Sequence, residues 1–276
     1  MSQRRSRVGT KRKTTPRMVD QRLPFTVHLE ELRKRLMICC AAVGVGFLPC
    51  YAFKDQIFEF MAIPLIASLP EDNSWMIFTG VTEAFFTYLK VSFLAGIFLS
   101  LPIIFYQLWA FISPGLYSKE RRVIFPFVIF STLFFVTGAS FGYFVVFPFG
   151  FKFLLGFATD TIRPFPSLKE YLSFATKLLL AFCFVFELPL ITYFLSKTGM
   201  LTHQTLAKNR RYFIVLAFLG SAMLTPPDVA TQLLMAGPLL ILFEISVVVA
   251  LVFGRKPLTD ESGDLKDEEE PRPTAG

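Results

Sequence analysis

Charge is scarce in this chain. Asp, Glu, Lys and Arg make up only 18% of its 276 residues, where soluble domains carry roughly a quarter. Histidine is almost absent, with only His28 and His203. The four cysteines, Cys39, Cys40, Cys50 and Cys183, fall in or beside apolar runs and show no metal-ligand spacing. That pattern excludes a disulfide framework and reads as buried thiols acting as small hydrophobes. No GxGxxG, P-loop, HExxH, GxSxG or CxxC motif is present, so no catalytic residue, metal or cofactor is assigned, and the chain is not read as an enzyme. No internal repeat is evident. A cleavable signal peptide is not expected either. The first apolar run begins near Leu36, after a long basic stretch, and lacks a small-residue cleavage site.

What the chain has instead is apolar bulk. Hydrophobic residues make up 53% of it, mean hydropathy is +0.53, and 34 residues are Phe. This is the composition of an integral membrane protein. Six apolar segments predict an all-α membrane protein of six transmembrane helices, approximately 24–53, 82–108, 123–147, 168–195, 212–224 and 229–253. Before them lies a basic arm, 1–23. After them lies an acidic, Pro-containing tail, 254–276, read as disordered. A spanning helix needs about 20 residues. The segment Tyr212–Leu224 falls short of that, so the turn after it is expected within membrane depth, against protein or a wet cavity.

The net charge of +7 is unevenly placed. Basic residues crowd Met1–Arg35, where they fit cytoplasmic retention and contact with anionic lipid better than nucleic-acid binding. With the N-terminus inside, the cytoplasmic loops also collect Lys119, Arg121, Arg122, Lys197, Lys208, Arg210 and Arg211. The outside receives only Lys54, Lys152, Arg163, Lys169 and Lys177. The positive-inside rule therefore predicts both termini in the cytoplasm.

One carboxylate stands out. Glu187 lies in the run LLLAFCFVFELPLITYFL, two residues before Pro189. A charge at a helix centre costs about 2.5–3.5 kcal/mol on insertion scales, so such residues face protein or a wet cavity. Pro189 predicts a bend. The bland alternative is a hydrogen-bonded glutamate that only joins helices. At the start of this segment, Ser167 and Glu170 read as a capping box. In Thr225-Pro-Pro-Asp228, Thr225 reads as an N-cap and Asp228 as a first-turn acid favoured by the helix dipole. Gln232 lies one turn beyond Asp228. With Glu244 they form a polar wall on the last segment, which Glu187 is expected to approach.

At the cytoplasmic end, PFTVHLEELRKRL places Leu29, Leu32 and Leu36 on one face. Glu30 can pair with Lys34 and Glu31 with Arg35 at i,i+4. The loop YQLWAFISPGLYSKERR carries Phe111, Pro114 and Glu120. Glu31 and Glu120 share this end, and two carboxylates among aromatic rings suit a guanidinium fork.

HLEELRKRL, YQLWAFISPGLYSKERR, YFVVFP, FELP and LTPPD with Gln232, in that order, resemble the TatC family of the twin-arginine protein translocase. The resemblance runs from Leu23 to about Phe253. It implies a cupped six-helix bundle, N-in and C-in, with short fifth and sixth helices, in the bacterial cytoplasmic (inner) membrane. It implies a receptor and core subunit that binds Arg-Arg signal peptides. Folded proteins would then cross with TatA- and TatB-type single-span partners, in a multi-copy complex driven by the proton-motive force. By this resemblance Glu31 and Glu120 hold the arginine pair, and Arg33, Phe111 and Pro114 belong to the same recognition region. Glu187, Asp228 and Gln232 are implied to contact partner helices. The competing class is a proton- or cation-coupled small-molecule transporter using Glu187. The lack of an inverted repeat argues against it.

Overall fold

A computed structural model describes residues 25–70, 75–112, 124–159, 161, 163–224 and 228–254. Helix α1 is Phe25–Ala52, α2 Lys54–Ile66, α3 Glu83–Ile112 and α4 Ile124–Phe141. A π-turn, Gly142–Val146, leads into α5, Phe147–Leu155. Then follow α6, Leu168–Phe186, α7, Leu188–Lys197, α8, His203–Lys208, α9, Arg210–Leu224, and α10, Val229–Phe253. Among the described residues, five helical stretches are long and apolar enough to cross a membrane: His28–Ala52, Glu83–Ile112, Ile124–Leu155, Leu168–Lys197 and Val229–Phe253. Helix α9 has 15 residues, about 22 Å at 1.5 Å per residue, and so is short as expected.

Small residues let the helices meet. At the α1–α3 crossing, a Cβ on Gly46 would lie 2.9 Å from the Gly96 carbonyl oxygen. One turn away, the Ser100 hydroxyl donates to the Ala42 carbonyl at 2.8 Å. At the α4–α6 crossing, a Cβ on Gly138 would lie 2.7 Å from the Phe182 carbonyl oxygen. Such close backbone contact replaces the hydrophobic drive that lipid cannot supply. The buried cores follow the crossings. Leu101, Phe105, Trp109, Val128 and Phe135 pack with Cys183, Leu190 and Phe194. Met61, Val91, Tyr143, Phe147, Leu178 and Phe182 belong to a second cluster.

Several elements depart from the sequence reading. Helix α2 was not anticipated, because Lys54, Asp55, Glu59 and Pro64 interrupt its apolar pattern. It is held by tertiary hydrogen bonds. Pro64 has no N–H to give to the carbonyl of Phe60 one turn earlier, and the Tyr143 phenol donates to that oxygen at 2.5 Å. The Tyr171 phenol donates to the neighbouring Met61 carbonyl. The third segment continues to Leu155 rather than ending at 147. The π-turn resets the hydrogen-bond register, so Pro148 sits in the first turn of α5, where a missing N–H is harmless.

The capping box at Ser167 does not form. Ser167 occupies the N-cap position, but its side chain makes no cap bond. Its hydroxyl donates to Glu83 Oε1 at 3.1 Å, and Glu83 Oε1 also accepts the Lys169 N–H at 2.8 Å. The cap of α6 thus comes from the start of α3. Glu83 Oε2 accepts Thr79 N–H at 3.0 Å and Gly80 N–H at 3.3 Å, closing its own helix start. A parallel bridge between Ile77 and Ser167 joins the same two connections. The start of α10 also differs. Its N-cap is Asp228, not Thr225, and residues 225–227 lie outside the described set.

Candidate functional site

The first site lies where the N-terminal turns of α1 meet the C-terminal turns of α3. The sequence pairs form as expected. Lys34 Nζ reaches Glu30 at 3.0 Å, and Arg35 Nη2 reaches Glu31 Oε1 at 2.6 Å. Arg35 Nε donates to the same oxygen at 3.0 Å, and Arg35 Nη1 donates to Gln107 Oε1 at 3.2 Å across the helix pair. Both arginine bonds therefore use Oε1 of Glu31 and neither uses Oε2. The Glu31 side chain stays 38% exposed. Phe111 stacks on His28 with centroids 4.4 Å apart and planes at 19°.

Glu31 and Phe111 are thus brought to one corner of the bundle. Arg33 is exposed on α1 and makes no ion pair among the described residues. Pro114 and Glu120 lie outside the described residues. The sequence reading missed Gln107 and gave His28 no role. An amide seventy-two positions from Arg35 and a ring facing Phe111 leave no local signal.

The second site is Glu187. The helix breaks there, as Pro189 predicted. Helix α6 ends at Phe186, Glu187 has φ −75° and ψ −16°, and Pro189 sits in the first turn of α7. Glu187 lies ten residues before Lys197, about 15 Å from that end of the stretch. It is 5% exposed. Ser131 of α4 lies near its side chain, and the Ser131 oxygen accepts the Trp109 Nε1–H at 2.8 Å. Glu187 Oε1 is buried without a partner among the described residues.

The expected approach of Glu187 to the polar wall of α10 is not what these side chains do. Asp228 caps its own helix, accepting the Thr231 N–H at 2.9 Å and the Thr231 hydroxyl. These hydrogen bonds from Thr231 hold its carboxyl below the ordinary aspartate range. Gln232 Nε2 donates to the Phe218 carbonyl of α9 at 3.0 Å. Glu244 pairs with Arg210 at 2.8 Å, and Phe213 stacks on Phe243 at 4.0 Å. Gln232 and Glu244 bind α9, Asp228 binds its own helix, and none of these contacts is with Glu187.

Along α4, α7 and α10 lies a largely apolar groove of about 560 Å³. It is lined by Phe127, Phe130, Pro189, Leu190, Tyr193 and Phe253 among others. Among the described residues no group of His, Cys, Asp and Glu is arranged to hold a metal.

Residues 27–238 match the family model described as Sec-independent protein translocase protein (TatC). The chain belongs to the TatC family. A Sec-independent protein translocase protein TatC of Desulforapulum autotrophicum is 55% identical over 88% of this chain and 89% of its own length. The protein of that name from Magnetococcus marinus is 46% identical over 89% of this chain and 90% of its own. A solved structure described as the twin arginine translocase receptor TatC superposes with a TM-score of 0.74. It is 43% identical, covering 83% of this chain and all of that one.

This TatC-family chain is therefore a multi-pass, all-helical membrane protein with bacterial relatives, and a protein-translocase subunit rather than the small-molecule transporter weighed as the alternative. The FELP glutamate of this TatC chain is Glu187, and the second of the two acids in HLEELRKRL is Glu31.

Proposed function

We propose that this chain is the receptor and core subunit of a twin-arginine translocase. Both termini face the cytoplasm of the bacterial inner membrane. The chain binds Arg-Arg signal peptides at the corner formed by Glu31, Arg33 and Phe111, together with Pro114 and Glu120. It passes folded proteins with TatA- and TatB-type partners in a multi-copy complex, driven by the proton-motive force. The basic arm 1–23 and the tail 254–276 flank the membrane domain on the cytoplasmic side.

The observation that carries the reading is the geometry of Glu31. Its carboxylate already accepts two guanidinium bonds from Arg35 on one oxygen. The second oxygen is unused by that pair, and the side chain is accessible. A second guanidinium can take the open oxygen, or exchange with Arg35 at little cost, because a partly exposed i,i+4 pair is worth only about 0.3–0.5 kcal/mol. The His28–Phe111 stack supplies a flat aromatic surface beside it, suited to a guanidinium plane. Glu187, and the α9–α10 pair through Asp228 and Gln232, are assigned to contact with partner helices. The groove along α4, α7 and α10 is apolar enough to receive a helix.

The test is binding of labelled Arg-Arg and Lys-Lys signal peptides to the full chain in nanodiscs. The Arg-Arg peptide is expected to bind more tightly, and Glu31→Gln is expected to weaken it about tenfold, the scale of one charge-assisted hydrogen bond. Equal binding of the two peptides overturns the arginine clamp.

A further inference from the structure

Away from both sites, two hollows open between the α2–α3 pair and the α4–α5 pair. The inner one, about 300 Å³, is lined by Ile57, Val91, Phe98, Val136 and Ala139 among others. The outer one, about 590 Å³, is lined by Ile63, Pro64, Ala67, Pro148 and Lys152 among others. They share Phe60, Tyr143 and Phe144, so they are consecutive parts of one groove. Tyr143 is buried, while Phe60 and Phe144 are more than half exposed. The Phe60 and Tyr143 rings stack at 4.7 Å where the two parts meet.

Length, charge and width together select an occupant. Val136 lies near the middle of the Ile124–Leu155 stretch, and Lys152 lies near its C-terminal end. The rise between them is about 24 Å at 1.5 Å per residue. One leaflet with its head groups is about 20–22 Å thick. The groove therefore runs from the middle of a bilayer to one surface. No Asp or Glu lines it among the described residues, and Lys152 is its charged group. Lys152 is exposed and makes no ion pair among the described residues. The hydroxyls in the lining are already committed to backbone carbonyls. Ser68 donates to Pro64, Ser140 to Val136 and Tyr143 to Phe60. The groove is thus apolar along its length and cationic at its mouth. A helix is about 10 Å across at least, and over this length it would fill roughly 1,900 Å³. That is far more than the two hollows hold together. A single hydrocarbon chain is much thinner and lies within them.

We infer that this groove seats one acyl chain of an anionic phospholipid. The phosphate is held at Lys152, and the chain end reaches Val136 and Phe98. Phe60 and Phe144 form the rims that the chain covers. With both termini in the cytoplasm, the Lys152 end faces outward and the lipid belongs to the outer leaflet. Only that choice of leaflet rests on the proposed orientation.

The test is photolabelling of the full chain, one copy per phosphatidylcholine nanodisc. The discs carry a trace of phosphatidylglycerol or phosphatidylcholine with a diazirine on one acyl chain, and labelled peptides are read by mass spectrometry. Phosphatidylglycerol is expected to label Val136–Phe144 about fivefold more than phosphatidylcholine does, the scale of one lysine facing an anionic lipid. Lys152→Gln is expected to bring the two lipids to one level. Ala67→Phe, at an exposed position of the outer hollow, is expected to lower labelling by both. The exposed Ile241 and Ile245 of α10 report bulk lipid. Groove labelling no greater than theirs overturns the site, and so does a head-group preference that survives Lys152→Gln. Labelling lost when two copies share a disc makes the occupant a helix of the second copy and overturns it as well. Melting temperature forms the second arm. In pure phosphatidylcholine, Lys152→Gln is expected to melt with the native chain. Added phosphatidylglycerol is expected to raise the melting temperature of the native chain more than that of Lys152→Gln. An equal rise in both overturns the phosphate contact.

Discussion

The Tyr143 phenol donates to the Phe60 carbonyl at 2.5 Å, the acceptor that Pro64 leaves open in α2. The π-turn at Gly142–Val146 carries the tyrosine, and π-turns inside helices tend to mark positions that a regular helix could not place. Two irregularities in separate helices therefore answer each other. Tyr143→Phe is expected to lower stability by about 1 kcal/mol, because the Phe60 carbonyl loses its donor in a part-buried setting. Pro64→Ala supplies a backbone N–H to the same oxygen, so the Tyr143→Phe loss should shrink in that background. Thermal unfolding of the four variants of the cycle, in one detergent, checks this. Strict additivity would contradict it.

Gly138 is expected to tolerate no side chain. Its Cβ would meet the Phe182 carbonyl oxygen at 2.7 Å, which is backbone and cannot turn aside. Gly138→Ala should destabilise by about 1–3 kcal/mol through forced separation of α4 and α6. Gly237→Ala is the control, since no atom lies within 4 Å of its Cβ position. Melting temperatures of the two variants should differ clearly.

Glu83, and not Glu170, is expected to govern the start of α6. Glu83 accepts the Lys169 N–H and the Ser167 hydroxyl. Glu83→Gln should lower the melting temperature more than Glu170→Gln. Amide hydrogen exchange at Lys169 should rise only in the Glu83 variant.

Asp228 gives a pH signature. Its carboxyl is held below the ordinary aspartate range by the Thr231 hydroxyl and N–H. The folded chain thus binds its proton less readily than the unfolded chain does. The resulting stability is present at neutral pH and above the unfolded value. It is lost as pH falls through the lower, folded value. The melting-temperature difference between the native chain and Asp228→Asn should be constant near neutrality and fade in acid. A difference unchanged throughout the acid range would refute the assignment.

Much of this architecture is legible along the chain. Apolar length marks the five long spans, and Pro189 marks the break at Glu187. The i,i+4 spacing marks the Glu30–Lys34 and Glu31–Arg35 pairs. The shortness of Arg210–Leu224 is plain from the positions of its flanking arginines and prolines. Helix α2 was not legible, because its amphipathic pattern is weak and its stabilising donors lie on Tyr143 and Tyr171. The capping of α6 was misread for a related reason. Ser167 and Glu170 satisfy a local rule, and a carboxylate from another helix outcompetes them.

At the candidate sites the same division holds. Glu31, Phe111, Glu187, Asp228 and Gln232 are conspicuous in sequence because charge and amide groups are costly in apolar surroundings. Their partners are not conspicuous. Gln107 and the Phe218 carbonyl are ordinary groups made specific by position.

By itself the sequence determined that this chain must live in a bilayer, where its helices run, and which polar residues cannot be idle. Those properties follow from transfer energies and from spacing along one helix, which are local. Only the tertiary structure decided what each polar residue does: Gln232 binds α9, Asp228 caps its own helix, and Glu187 is buried at the α6–α7 break. The physical reason is that buried polar groups must be satisfied by whichever donors the fold brings near, and nearness across helices is not written in any local pattern.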